Sequence, residues 1–399
     1  MNIEQALAPI PIGTFLTEYW NRKPLLIRRQ NPEIYDMGLA METPESLILS
    51  GRLQYPEIRL IRKGQKVPLQ MMFESGLFGR TSKDGAPRLG ALRQAYLEGY
   101  TIVLRAETVS RPVARLCRSL EAEVRRPVLA EMFCTPKGSQ GSNLHHDPFD
   151  VFVLQLSGIK HWKVYAPTGK ESTKIGVQTT VEQVGPLLLD DQLAAGDLLY
   201  IPCSFPHVAL TSGDAPSVHL SLAAEPLRWS DVVHEAATMA MEQNRDFTRL
   251  LPVGYLNGNE DEAAELASLC ARLFDHVDAA AIRNRLAAKF CSGLQPSEPD
   301  YFQEATSFEE VTPETLFRLV PGSVVHVDVS SDPLHISFPG NQLSLPRSTA
   351  ATLNILVNSE GKAFSARSIT SNLDERSRTV LLKHLHKAGL LTLADKNLH

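Results

Sequence analysis

The chain has 399 residues, 43% of them hydrophobic and 21% charged, with a formal net charge of −5. That length supports two or three domains with their own cores. The acidic balance excludes broad nucleic-acid binding through phosphate contacts and leaves room for a basic protein or peptide partner.

At the N-terminus, MNIEQALAPIPIGTF lacks the basic-then-apolar pattern of a signal peptide, and no apolar run is long enough to predict a membrane span. FLTEYWNRKPLLIRR reads as a short helix and then a strand after Pro24. APRLGALRQAYLEGYTIVLRA reads as a helix passing into a strand, and SRPVARLCRSLEAEV has helical apolar spacing. Residues 126–226 change character: VLAEMFCTP, DVFVLQL, KHWKVYAP, GPLLLD, GDLLYIP, HVALT and SVHLSLAA are short β-rich runs between Gly and Pro. Such spacing predicts a sandwich or barrel. WSDVVHEAATMAMEQNRDFTRLL and DEAAELASLCARLFDHVDAAAIRNRLAAKF are helical in period, and CSGLQPSEPD reads as a linker. In the last segment, GSVVHVDVSSDPLHISFPG predicts a hairpin. RSTAATLNILVNS and DERSRTVLLKHLHKAGLL predict two helices, with a closing strand after them. The five cysteines, Cys117, Cys134, Cys203, Cys270 and Cys291, contain no C-x-x-C pair. A disulfide framework is therefore not expected, and a reducing compartment such as the cytoplasm fits.

The stretch NLHHDPFDVFVLQL sets two adjacent histidines and an aspartate before an alternating run. In extended chain His145 and Asp147 share a face, and His146 points to the other. Imidazole plus carboxylate is two thirds of the 2-His-1-carboxylate set of non-haem Fe(II) oxygenases, which leaves metal positions open for cosubstrate and oxygen. The third ligand is expected on a later strand. His207 opens a strand after the Pro-bounded loop of GDLLYIPCSFPHVAL; His219, on one face with Ser217 and Ser221, is its rival. An isolated H-x-D is common, and a lone histidine on an apolar strand is more often a core residue. The β-rich surroundings and the later histidine favour the metal reading.

These residues lie within a longer likeness. TPKGSQGSNLHHDPFDVFVLQLSGIKHWKVYAP, AAGDLLYIPCSFPHVAL and SVHLSLAAEPLRWSDVV resemble the core of the JmjC-type ribosomal oxygenases, 2-oxoglutarate-dependent hydroxylases of ribosomal proteins. FLTEYWNRKPLLIRR resembles their entry segment F-x-x-x-x-W-x-x-x-P-L. The resemblance implies an α+β fold: a JmjC catalytic domain over 1–226, with a double-stranded β-helix (cupin) barrel at 126–226, a helical dimerisation region over 227–310 and a winged-helix domain over 311–399. It implies Fe(II) held by His145, Asp147 and His207, because the histidine of FPH is the family's third ligand. It also implies 2-oxoglutarate as cosubstrate, with Lys160 of SGIKHW on its distal carboxylate, Ser221 as a second partner and His219 lining the pocket. A buried dianion needs a cation or several donors, although Ser157 and Gly158 leave the direction of Lys160 unset by alternation. Relatives often carry Asn where this chain has Glu131, a departure that bears on how cosubstrate or substrate is held. Ser139 and Gln140 fall in the loop that leads into the H-x-D strand.

The implied activity is hydroxylation of an arginine or histidine of a ribosomal protein. Bacterial members resemble arginine hydroxylases and eukaryotic members histidine hydroxylases. GSQG and KHW lean toward the latter without reading out the target side chain. A homodimer is implied, with Val232, Val233, Ala236 and Met239 as a candidate stripe. Nucleic-acid binding is not expected: Arg376, Arg378, Lys383 and Lys387 share a core-spaced helix, and Asp374 and Glu375 dilute their charge. Two other readings stay open: the same chemistry on a peptide natural product or free amino acid, and a non-enzymatic cupin-type regulator. The complete H-x-D…H set counts against the regulator. Histone demethylation is weaker still, since no reader domain or acidic tract is evident.

Overall fold

Alternation in the β-rich runs is realised as two-faced strands. The computed structural model describes the chain apart from residues 30, 36–42, 51–52, 54–55, 67–88, 170–176, 213, 252, 259–261, 275–277, 297–310, 360 and 395–399. The described residues form two units, Met1–Pro226 and Leu227–His399.

In the first unit α1 (Ile3–Leu7), α2 (Ile12–Glu18), β1 (Leu25–Ile27), α3 (Pro44–Leu49), β2 (Ile58–Arg62), β3 (Gln65–Lys66), α4 (Leu89–Leu97), β4 (Thr101–Arg105) and α5 (Arg111–Val124) precede the β-rich region. That region holds β5 (Val128–Thr135), β6 (His145–His146), β7 (Asp150–Ser157), β8 (Ile159–Tyr165), β9 (Val177–Gln178), β10 (Leu187–Leu193), β11 (Leu198–Ile201), β12 (His207–Ser212) and β13 (Ser217–Ala224). Two antiparallel sheets result, in the orders β1-β11-β7-β13-β5-β4-β2-β3 and β10-β8-β12-β6-β9.

The parity of the large sheet explains its two environments. Ala130 and Met132 of β5, Phe152 and Leu154 of β7, and Leu220 and Leu222 of β13 join a core with Phe15 and with Leu116 and Leu120 of α5. Their strand neighbours Val151, Val153, Leu199 and Ile201 turn the other way and pack with Trp162 and Val164 of β8. The large sheet is thus covered by helices on one face and by the small sheet on the other, which removes both apolar faces from water. Arg111–Val124 is helical as its spacing predicts, starting with proline in the first turn.

The second unit contains α6 (Trp229–Gln243), α7 (Glu262–Phe274), α8 (Ala279–Gly293), β14 (Phe317–Leu319), β15 (His326–Asp328), β16 (Leu334–Phe338), β17 (Asn341–Leu345), α9 (Ala350–Val357), α10 (Glu375–Lys387) and β18 (Leu391–Leu393). Two readings are corrected and one is extended. The helical run that begins at Asp261 is two helices, because the Asp278 carboxylate accepts from the backbone N–H groups of Ala280 and Ala281 and caps a new start. CSG of the expected linker completes α8. The expected hairpin β15–β16 continues into β17 as a three-stranded sheet, while β18 pairs with β14 instead. Phe317, Leu334, Phe338, Leu353, Leu381 and Leu385 share its core. The stripe Val232, Val233, Ala236 and Met239 is also divided. Ala236 and Met239 are buried against Ile282 of α8 with Val232 beside them, whereas Val233 is 54% exposed. Positions i, i+4 and i+7 share a helix face, and i+1 does not.

Candidate metal centre and cavity

Register brings the candidate ligands together. His207, the first residue of β12, pairs with His145 of β6, and their rings lie 4.4 Å apart. His145 Nδ1 is 2.7 Å from the Asn143 carbonyl oxygen, and His207 Nδ1 is 2.9 Å from that of Phe205. A carbonyl only accepts, so each Nδ1 carries the proton, and in the neutral ring each Nε2 presents a lone pair. Both Nε2 atoms turn to one carboxylate oxygen: Asp147 Oδ2 is 3.5 Å from His145 and 3.8 Å from His207. The three ligand atoms lie within 4.8 Å of one another. The loop between β11 and β12 is fastened to the aspartate, since Ser204 N–H donates to the Asp147 carbonyl at 2.9 Å. Ser204 takes a left-handed φ of 66° to do so.

The two histidines differ electrostatically. Burial, then the adjacent His145, lowers His207 to about 4. Burial also opposes charge on His145, but the Asp147 carboxylate outweighs it and raises that ring above the ordinary histidine value.

A cavity of about 450 Å³ extends from these ligands between the sheets. Alternate residues line it: Glu131 and Phe133 of β5, His219 and Ser221 of β13, Lys160 and Trp162 of β8, and His207 and Ala209 of β12. Lys160 Nζ donates to Thr135 Oγ1 at 3.1 Å and faces His219 Nδ1 at 3.3 Å. His219 stacks on Phe133 at 4.8 Å and meets the Trp162 edge at 5.6 Å. Of the two rivals for third ligand, the structure brings His207 to the His145–Asp147 pair and sets His219 beside Lys160. His146 is outside the cavity lining.

Gly158 directs Lys160. Along β7 the inter-sheet positions are odd, Val151 and Val153, whereas on β8 they are even. Gly158, at φ +68°, makes the intervening turn, and a Cβ there would stand 2.1 Å from the Pro216 carbonyl oxygen. Only glycine fits that turn.

Glu131 faces inward. Its carboxylate receives Arg59 Nη2 at 2.6 Å, and it neighbours Ser221 on β13 and Arg105 on β4. Arg59, Arg105, Thr135 and Trp162 were not foreseen as site residues. For Trp162 and Thr135 a signal existed, since they share faces with Lys160 and Phe133. Ser139 lies outside the cavity lining, and Gln140 Nε2 donates to the Ser142 carbonyl at 2.9 Å, bracing the loop before His145.

Residues 104–232 match the family model described as the JmjC domain. The chain is 25% identical over 356 residues to the bifunctional lysine-specific demethylase and histidyl-hydroxylase NO66 of Dictyostelium discoideum, covering 81% of this chain and 66% of that protein. It is 30% identical over 237 residues to ribosomal oxygenase 2 of Mus musculus, covering 57% of this chain and 48% of that protein. The chain thus spans two thirds or less of the length of these relatives. Among solved structures, Escherichia coli ycfD aligns over 96% of this chain and 98% of its own, with TM-score 0.58 and 17% identity. A ycfD ribosomal oxygenase structure in complex with cobalt and 2-oxoglutarate aligns with TM-score 0.56 at 16% identity, over 97% of this chain and 99% of its own. The fold is of the JmjC/cupin type, and the resemblance to ribosomal oxygenases read from the motifs is borne out.

Proposed function

We propose that this JmjC-domain chain, similar in sequence to the ribosomal oxygenases, is an Fe(II)- and 2-oxoglutarate-dependent dioxygenase that hydroxylates an arginine or histidine side chain of a ribosomal protein. The observation that carries the metal is the convergence of two Nε2 lone pairs and a carboxylate. At 3.5 and 3.8 Å these contacts are too long for good hydrogen bonds. With both Nδ1 protons committed to carbonyls, a cation is what three such groups can share. The 2-His-1-carboxylate donor set suits Fe(II) and leaves positions open, and the ring carbonyl contacts fix tautomer and orientation.

The cavity fits a dicarboxylate by the same kind of test. Lys160 is buried beside it. Trp162 Nε1, in the lining, and Thr211 Oγ1, outside it but the register partner of Lys160 on β12, are buried without a hydrogen-bond partner. Leaving such groups unpaired costs on the order of 1–3 kcal/mol each, and ligand oxygens would relieve it. Fe(II) with bound 2-oxoglutarate supplies the oxidation: dioxygen delivers one atom to a C–H bond, and the other converts 2-oxoglutarate to succinate and carbon dioxide. The chain's own part is placement. His145, Asp147 and His207 would hold the metal, and Lys160 the far carboxylate, with Ser221 beside it. Phe133, His219 and Trp162 wall the cavity and keep water out.

In the second unit we infer a helical dimerisation region over 227–310 and a winged-helix domain over 311–399. Exposed Trp229, Leu250, Val253 and Leu256 favour a second copy as the partner, since apolar surface of this kind marks an interface. Arg378 on α10 is turned inward, donating to the carbonyls of Ala366 and Leu373, which favours a protein-contact role over DNA binding. No helix among the described residues is long and apolar enough to cross a membrane, and a cytoplasmic location is the reading that goes with the ribosomal target.

Intact-mass spectrometry of ribosomal proteins tests the activity. One protein is expected to be a single oxygen heavier in cells carrying the gene than in cells lacking it, or carrying only Asp147→Ala. Equal masses in all three would remove the ribosomal target.

A further inference from the structure

Lys160 is 3% exposed, and no carboxylate among the described residues opposes that burial; only the Cys134 thiol acts against it. The two groups it touches, Thr135 Oγ1 and His219 Nδ1, are neutral acceptors. Thr135 is itself held by a hydrogen bond from Thr101 Oγ1 at 3.2 Å, and His219 by its stack on Phe133. The other groups around Lys160 are also uncharged. Leu193 of β10 and Thr211 of β12 flank it in register. The Cys134 thiol on β5 is pushed up to about 12 by burial. The charged residues Asp147, Glu131, Arg59 and Arg105 also line the cavity, and Glu131 shares β5 with Thr135, yet none of the four is bonded to Lys160 or shifts it.

An ammonium buried with acceptors but no counter-charge keeps its hydrogen bonds while its charge stays uncompensated, which favours loss of the proton. The directions agree: burial lowers Lys160 to about 7, and burial, then Lys160, holds His219 well below the usual histidine range. A neutral amine still fits the cradle, because it can accept from the Thr135 hydroxyl. An arriving carboxylate reverses the balance by supplying the missing charge.

We propose that Thr135 and His219 are positioning residues that hold Lys160 as a proton-poised anchor, so that the distal carboxylate of 2-oxoglutarate is captured together with one proton from solvent. The step is amine plus proton plus carboxylate giving an ammonium–carboxylate pair, with no other bond changed. It rests on the cosubstrate reading above.

Calorimetric titration of 2-oxoglutarate into the full chain loaded with Mn(II), without oxygen and in buffers of different ionisation enthalpy, reads the proton directly. Uptake approaching about one proton is expected near pH 8.5 and almost none near pH 6, with the dissociation constant rising roughly tenfold per pH unit above the Lys160 midpoint. Lys160→Arg keeps a permanent cation and should bind without uptake. Thr135→Val should move the uptake curve to lower pH and weaken binding at neutral pH, whereas Thr135→Ser should restore both. Binding without uptake in the parent chain, or uptake that survives in Lys160→Arg, overturns the inference and leaves the cosubstrate reading standing. Identical curves for Thr135→Val and the parent overturn the positioning role. No binding at any pH overturns the cosubstrate reading and this inference with it.

Discussion

His145 and His207 obey one local rule: each ring donates its Nδ1 proton to the carbonyl two residues upstream, so each lone pair is aimed before any metal arrives. Lys160 is aimed differently, by the turn at Gly158. Alanine there would combine a left-handed φ with a backbone clash against Pro216, and no flexible side-chain end is available to yield. Gly158→Ala is therefore expected to cost more than about 2 kcal/mol of stability. It should also weaken 2-oxoglutarate binding about tenfold or more, because β8 shifts under Lys160. Metal content should stay near the parent value, since none of the three ligands lies on β7 or β8. Denaturant unfolding, metal analysis and ligand titration on one preparation separate these effects; a variant that loses metal and 2-oxoglutarate together contradicts this division.

At the scale of elements, α5 and β5 are joined by a buried acid. Glu121 accepts from Val128 N–H at 2.9 Å, and Arg118 Nε lies 2.8 Å from its carboxylate. Burial raises the Glu121 carboxyl from 4.5 to about 7. Between those values the folded chain holds a proton that the unfolded chain has released, so this group's contribution to stability falls as pH rises through the window. Glu121→Gln keeps the acceptor for Val128 and removes the titration. The loss of stability from pH 5 to pH 7, read as the shift in urea midpoint, should be smaller in that variant; an equal shift would place the proton elsewhere.

Strand parity made much of this scale legible in advance. It put His145 and Asp147 on one side and grouped His219 with Ser221, as the cavity lining has them. It failed where a turn resets the phase, so Lys160 needed the family likeness and Glu131 had no face. Arg59 and Arg105 went unseen because they enter from β2 and β4, whose place beside β5 depends on long-range pairing. The choice of His207 over His219 likewise came from the family likeness, since both sit on apolar strands; the structure separates them by pairing His207 with His145 of β6.

For the whole molecule, the division of the core decides what each half can do alone. Met1–Pro226 contains both the helix-side core and the inter-sheet core, together with every residue of the metal centre and cavity. Leu227–His399 carries a separate core around Phe317 and Leu381. On its surface Leu250 and Leu256 are 96% and 95% exposed, a state that leaves apolar area in water at about 25 cal/mol per Å². If a second copy covers that surface, dimerisation and metal binding belong to different halves of the chain. The full chain should sediment as a dimer at micromolar concentration. A chain ending at Pro226 should sediment as a monomer and still bind one metal ion per chain, with His207→Ala as the variant that loses it. A monomeric full chain would remove the dimer reading and leave the metal centre untouched. A truncated chain that folds but binds no metal would show that the first unit's ligand geometry depends on residues beyond Pro226, which the separation of the cores argues against.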